Sequence, residues 1–344
     1  MSISAPMAGG LILGSARCGS TLVSRILRSH PDILSISELF STVGPWAFRP
    51  DKLDGTRFWS HLATPSRALS QVGNPTLAPT EFLYGGPEHD PYFCPPILAI
   101  TLPHLSNEPD ALFRYLETTV GQRGEMGLED HYRAMFADLS ERFGGRRVWV
   151  ERSGGSLAAA GTLRAMFPEA RPVLLLRDGP EAALSMRDYP AARLAIWMWK
   201  KLRRFGIDLL HPRHHFGRGG IWPLISAIGG RLGVSRILEY RPSLHDTGAF
   251  WSAVTRTGLD GLRGASPLVL HYEDLCLDPR SEIERLGRFL TGSAPGNWLD
   301  LAQTFPREPS RRTDTLTRRE HRELLDACGP GRQALIAAAM SSDG

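Results

Sequence analysis

Apolar residues recur in short runs along the chain, and each run ends in small or polar residues that open a helical pattern. The first run is Gly9-Gly10-Leu11-Ile12-Leu13, followed by Gly14-Ser15-Ala16-Arg17-Cys18-Gly19-Ser20-Thr21. Beyond it Leu22, Val23, Ile26 and Leu27 fall on one helical face, with Ser24, Arg25 and Arg28 on the other. That succession reads as strand, loop, helix. Ile33, Leu34 and Ile36 mark a short second strand with Glu38 at its C-terminal end. Val148-Trp149-Val150 is a third, closed by Glu151-Arg152-Ser153, and Leu157 to Phe167 reads as a helix. Pro172 to Leu176 shows no polar alternation, as expected of a central parallel strand covered on both faces. It ends in Arg177-Asp178, and a helix follows through Glu181 to Arg187. The last unit is Pro267 to Leu270, then Tyr272-Glu273-Asp274-Leu275. Asp278 is a good N-cap with Pro279 at the first helical position, and Ile283, Leu286, Gly287 and Leu290 mark that helix's face. Strand and helix alternating through short connections predict βαβ units and a parallel sheet.

Other stretches break this rhythm. Residues 41 to about 145 read as irregular, rich in Pro, Gly and aromatics (Trp46, Phe48, Phe58, Trp59, Tyr84, Phe93), with helical pieces near 109–121 and 128–142. A long insertion of this kind reads as a lid over a site. His89, His104 and His131 within it read as surface or packing residues. Ala191 to Leu210 is an amphipathic helix, its apolar face Leu194, Trp197, Met198, Leu202, Phe205 and Leu209, its other face Arg193, Lys200, Lys201, Arg203 and Arg204. That basic face is either solvated or drawn to an anionic membrane surface or an acidic carrier. His211 to His215 has no spaced partner ligand and reads as loop. A final helix is expected from about Leu316 to Ala327.

Composition narrows the classes. The 344 residues are 42% apolar and 22% charged, which is ordinary for a globular protein with a sizeable core. A net charge of +4 suits an anionic small ligand and is too small to argue for nucleic acid. Cys18, Cys94, Cys276 and Cys328 are scattered, without disulfide or zinc spacing. The longest greasy stretch, Ile221 to Leu238, is interrupted by Pro223, Gly229, Gly230, Arg231 and Arg236, short of the roughly 20 apolar residues that span a bilayer. No secretory pattern opens the chain, so a soluble, cytoplasmic protein is expected.

The chemistry gathers at the strand ends. The first loop points backbone N–H groups into a helix N-terminus, a site for a phosphate-like anion. Its frame is the Gly-x4-Gly of a nucleotide P-loop, but Ser20 stands where an NTPase carries Lys, and the cation is Arg17. Arg177 ends its strand and Ser185 follows eight residues on, a separation that lets an Arg and a hydroxyl grip one phosphate. Two phosphate sites without the lysine fit a bisphosphorylated nucleotide better than a triphosphate. Glu151-Arg152 is brought to the same edge.

These residues resemble the sulfotransferases that use 3′-phosphoadenosine 5′-phosphosulfate (PAPS), in particular the tyrosylprotein-like and bacterial branch. Ala16-Arg17-Cys18-Gly19-Ser20-Thr21 resembles that family's 5′-phosphosulfate loop, and Arg177 with Ser185 its 3′-phosphate motif. Tyr272 to Leu275, with the Asp-Pro and helix after it, resembles its third landmark. The resemblance covers about 9–40, 146–190 and 265–330. It implies one sulfotransferase-like domain over 1–344, a P-loop-like three-layer α/β/α fold with a central parallel sheet and large helical or irregular insertions at 41–145 and 191–264. It implies PAPS as donor, no metal, Glu38 as base, and Arg17 and Arg152 as charges at the sulfuryl group. The donor would be held by Ser15, Arg17, Cys18, Gly19, Ser20, Thr21, Arg177 and Ser185. Arg311 and Arg312 on the C-terminal arm stand in for an auxiliary cation missing at Gly179-Pro180. Ala16 and Cys18 depart from the usual Pro and Ser. The acceptor expected from it is a small-molecule, lipid or carrier-linked hydroxyl or amine. The aromatics of 41–100 with Trp197, Trp199 and Trp222 favour one that is bulky and partly apolar. Two other readings stay open: an atypical P-loop kinase or NTPase, and a non-catalytic nucleotide- or carrier-binding module.

Overall fold

Alternate residues of the strands belong to different cores. In the computed structural model, which describes residues 7–49, 51–214, 234–309 and 311–340, Leu11, Leu13, Leu34, Ile36, Trp149, Leu174 and Leu176 enter one hydrophobic cluster. Ile12, Ile33, Val148, Val150, Val173, Leu175 and Leu270 enter the other. A period of two with apolar residues at every step is what a sheet buried on both faces requires. The strands are β1 (Ala8–Gly14), β2 (Ile33–Ser37), β5 (Val148–Arg152), β6 (Ala170–Leu176) and β7 (Leu268–His271). They run parallel in the order β2-β5-β1-β6-β7. A separate antiparallel pair joins β3 (Lys52–Leu53) to β4 (Met126–Gly127). All five strands of the parallel sheet lie where the apolar runs placed them.

One face is covered by the helix Ser20–Arg28 (through Val23, Ile26 and Leu27), by Pro279–Thr291 (Ile283, Leu286 and Leu290) and by Gly296–Ala302. The Asp278 side chain accepts from Ser281 N–H, as its capping role predicts. The opposite face carries Ala160–Met166, Gly179–Arg187, Leu244–Gly261 and Arg318–Met340 together with the helices of the long insertion. The architecture is α/β, a central parallel sheet flanked by helices.

Three expectations are corrected. Segment 41–145 is irregular only in part: 73–95 has neither helix nor strand, but beyond Pro109–Gly121 and Leu128–Arg142 the segment also forms Gly55–Ala63, Arg67–Val72, Pro96–Ala99 and Thr101–Leu105. Phe48, Phe58, Trp59 and Tyr84 are buried in the main core, whereas Phe93 is exposed. These additional helices are short, at nine residues or fewer, and tertiary packing stabilises them. His104 and His131 are buried; His131 stacks on Phe58 at 4.7 Å and its Nε2 is 2.7 Å from the Leu53 carbonyl.

The basic helix spans Pro190–Arg203, and its buried residues are Ala192, Ile196 and Trp199. Leu194, Trp197, Met198 and Leu202 are only partly covered, and Phe205 is 79% exposed. Lys200 pairs with Asp246 at 2.6 Å and Arg193 reaches the Leu238 carbonyl at 2.8 Å, so part of the polar face is neutralised by neighbours. Trp222 and His215, and most of the 221–238 stretch, lie outside the described residues.

The last helix is Arg318–Met340 and passes through Pro330. A proline removes one ladder bond and normally ends or kinks a helix. The Ser252 hydroxyl bridges the next rung, donating to the Ala327 carbonyl at 2.8 Å and accepting from Gly331 N–H at 3.2 Å. Among the described residues no helix is long and apolar enough to cross a membrane.

Candidate active site

Strand register assembles the site. β1 is central, and Ile12 lies level with Arg152, which is level with Ser37 on the far side; Gly14 lies level with Leu175. The loops leaving β1, β2, β5 and β6 therefore meet at one carboxyl edge, where ligands of open α/β sheets bind.

The loop after β1 is held in a left-handed conformation. Ala16 (φ 71°), Arg17 (φ 54°) and Gly19 (φ 92°) all have positive φ, a pattern that turns successive N–H groups into one concavity. The first N–H groups that bond back into the following helix are those of Leu22 and Val23, both to the Gly19 carbonyl. Those of Ser20 and Thr21 lie ahead of that bond, at the helix N-terminus. Gly19 is required twice over: its φ is left-handed, and a Cβ there would overlap the Tyr272 ring. Cys18 is fully buried beneath the loop, against Gly14, and burial pushes its thiol up to about 11. Its side chain thus faces the core. Ser15 is buried and its hydroxyl donates to the Ala16 carbonyl.

Arg152, at the end of β5, is 7% exposed at its side chain. It donates to Ser24 Oγ at 2.6 Å, Ser37 Oγ at 3.3 Å and Ser20 Oγ at 3.5 Å, and pairs with Glu38 Oε1. Glu38 sits at φ 57° between β2 and the helix Leu39–Val43. Its Oε2 accepts from Gly154 N–H at 2.8 Å and from the Ser41 hydroxyl. Behind it, Ser153 Oγ accepts from the N–H groups of Phe40 and Ser41 and donates to Glu151 at 2.5 Å. Glu151 is 1% exposed, and burial raises its carboxyl to about 8.

Arg177 leaves β6 with its Nη1 on the Arg17 carbonyl at 3.1 Å and its guanidinium 5.1 Å from the centre of the Tyr272 ring. Nη2 is 3.5 Å from Glu181, and Nε is buried without a hydrogen-bond partner among the described residues. Ser185 Oγ accepts from Arg17 Nε at 3.2 Å. The two sequence motifs therefore meet through Arg17. Glu181 also accepts from the Thr313 hydroxyl and from the N–H groups of Arg312 and Thr313. Burial raises its carboxyl, but those bonds outweigh it and hold the pKa below the usual value. They also fasten the C-terminal arm beside Arg177. Arg312 pairs with Asp188 at 2.7 Å, and Arg311 is exposed.

Several participants were not legible in the sequence. Ser24 stands one turn after Ser20 on the helix side facing β5, and Ser37 precedes Glu38; both are hydroxyls beside a named residue, which is a weak signal. Glu81 and Tyr189 gave none. Arg17 Nη1 donates to Glu81 Oε1 at 2.6 Å, the Tyr189 hydroxyl donates to Glu81 Oε2, and the Arg17 guanidinium lies 5.0 Å from the Tyr189 ring centre.

No protein-family model matches the chain, and no curated protein matches it in sequence. Among solved structures it is similar to a sulfotransferase domain from the curacin biosynthetic pathway, with 14% identity over 86% of this chain and 77% of that one and a TM-score of 0.44. It is also similar to a sulfotransferase domain from the Synechococcus PCC 7002 olefin synthase, with 16% identity, 100% and 97% coverage and a TM-score of 0.42. A third is a sulfotransferase from Mycobacterium avium, with 13% identity, 97% and 77% coverage and a TM-score of 0.44. At such identities and TM-scores the functional reading rests on the site's own residues.

Proposed function

We propose that the protein is a sulfotransferase that uses PAPS as donor and a hydroxyl or amine as acceptor. The observation that carries this reading is the joining of Arg17, Ser185, Arg152 and Glu38 around one left-handed, lysine-free anion loop. The donor set suits a dianion: arginines, hydroxyls and backbone N–H groups, with the buried Arg177 Nε still lacking a partner among the described residues. In this reading the N–H groups of Gly19, Ser20 and Thr21, with Arg17, hold the 5′-phosphosulfate. Arg177 and the Ser185 hydroxyl, whose proton is free to donate while its oxygen accepts from Arg17, hold the 3′-phosphate. When bound, PAPS supplies an activated sulfuryl group.

Glu38 takes the acceptor's proton. Its Oε1 uses one lone pair on Arg152, which leaves a second for the acceptor, while Gly154 and Ser41 fix Oε2. A base so placed contributes about 10²–10⁴ in rate. Arg152 and Arg17 offset the charge that grows on the leaving group, work for which a preorganised donor contributes about 10²–10³. The test is Glu38→Gln beside Arg177→Ala. Calorimetry should show that Glu38→Gln keeps its affinity for adenosine 3′,5′-bisphosphate and that Arg177→Ala loses it. With sulfur-labelled PAPS screened against lipid, glycan, phenolic and carrier-linked acceptors, Glu38→Gln should lose transfer. Turnover of ATP with Mg²⁺ instead would favour a kinase or NTPase, and tight binding without any transfer a binding module.

A further inference from the structure

The contact that the proposed chemistry does not use is a carboxylate seated on the loop's own cation. Glu81 comes from the long insertion, 64 residues from Arg17 in sequence, and takes Arg17 Nη1 at 2.6 Å. Its position is built. Its N–H and that of Phe82 both bond the Ala78 carbonyl, Leu83 N–H bonds the Ala99 carbonyl, and Ala78 and Phe82 are buried. The Tyr189 hydroxyl fixes the second carboxylate oxygen. Glu81 is 22% exposed at its side chain and Arg17 36%, so the pair is partly shielded from water. With Nε on Ser185 and Nη1 on Glu81, two of the three guanidinium nitrogens are engaged. A carboxylate there uses the charge-assisted bonds that a phosphate or sulfate oxyanion would make, and repels whatever arrives.

We propose that Glu81 is a threshold-setting residue of the anion site: an internal carboxylate that competes for Arg17 and raises the affinity threshold for any ligand reaching that arginine. An isolated oxyanion must displace Glu81 with one set of contacts. A nucleotide anchored also at Arg177 brings a second set to offset the same competition. The penalty is the same for both, so Glu81 keeps an isolated oxyanion below the threshold that a two-point anion clears. The inference rests on the anion-site reading of the loop, not on transfer chemistry.

The experiment is calorimetric titration of inorganic sulfate and of adenosine 3′,5′-bisphosphate into the parent protein, Glu81→Gln and Tyr189→Phe. Gln keeps an acceptor for Arg17 Nη1 and removes the charge. Glu81→Gln should bind both ligands about tenfold tighter, a coupling of ordinary size between linked groups, with sulfate and the nucleotide gaining alike. Tyr189→Phe loosens Glu81 without removing it and should shift both affinities the same way by less, which keeps the test open if Glu81→Gln folds poorly. Unchanged or weaker sulfate binding in both variants would overturn the proposal, because Glu81 would then be supporting Arg17. If sulfate tightens in Glu81→Gln while no protein binds the nucleotide, the role of Glu81 stands and the PAPS reading falls. If the nucleotide binds all three equally and sulfate does not tighten, the reverse holds.

Discussion

Replacing Arg152 by Met tests whether the pair at the strand ends is a buried ion pair or a dispensable contact. Met keeps an unbranched apolar stem and removes the charged guanidinium. Ser24 and Ser37 lose their arginine donor but retain each other, Ser37 Oγ donating to Ser24 Oγ at 3.0 Å. The cost therefore falls on Glu38, whose side chain is 15% exposed and which keeps only Gly154 N–H and the Ser41 hydroxyl. Breaking a buried pair by removing one partner costs about 3–5 kcal/mol. The two surviving donors put the expected loss near the lower end, about 3 kcal/mol. Urea denaturation followed by circular dichroism should show it as a lower midpoint at unchanged slope. The double variant Arg152→Met with Glu38→Gln should recover most of the loss, since it leaves no unpaired charge. A single-variant loss under about 1 kcal/mol, or a double variant no more stable than the single, would refute the argument.

Gly19→Ala adds a left-handed strain of about 1–2 kcal/mol and an overlap with Tyr272 of about 1–3 kcal/mol. Combining it with Tyr272→Ala should relieve only the overlap, measured again by denaturation. Glu151 has a carboxyl raised to about 8 by burial. Between its unfolded value near 4.3 and that pKa the folded state holds a proton the unfolded chain has lost, so this group's contribution declines as pH rises. Glu151→Gln should accordingly gain on the parent between pH 5 and 8, by on the order of a few kcal/mol; a pH-independent difference would contradict this. The Cys18 thiol, buried and raised to about 11, should resist alkylation at pH 8 in the folded protein and react once it is denatured, as peptide mass spectrometry would show.

Local pattern alone determined the strands and the anion loop. Each is a contiguous run whose burial or turn geometry leaves a mark on neighbouring residues: apolar runs at Leu11–Leu13 and Val173–Leu176, small residues from Gly14 to Thr21, and an Asp-Pro helix start at Asp278. The spacing from Arg177 to Ser185 likewise lies within one strand-to-helix unit. Long-range packing decided the rest. Whether Leu194 or Ile196 faced inward on the basic helix depended on which neighbours it met, since both faces carry apolar residues. The last helix runs past Pro330 with Ser252, on another helix, bridging the rung beside the proline. At the site, β5 inserting between β1 and β2 brought Arg152 onto Glu38. Glu81 reached Arg17 across 64 residues, through a segment whose folding depends on the core it joins. A pairing at that separation has no period and no motif; the partners are chosen by what the tertiary structure brings within reach.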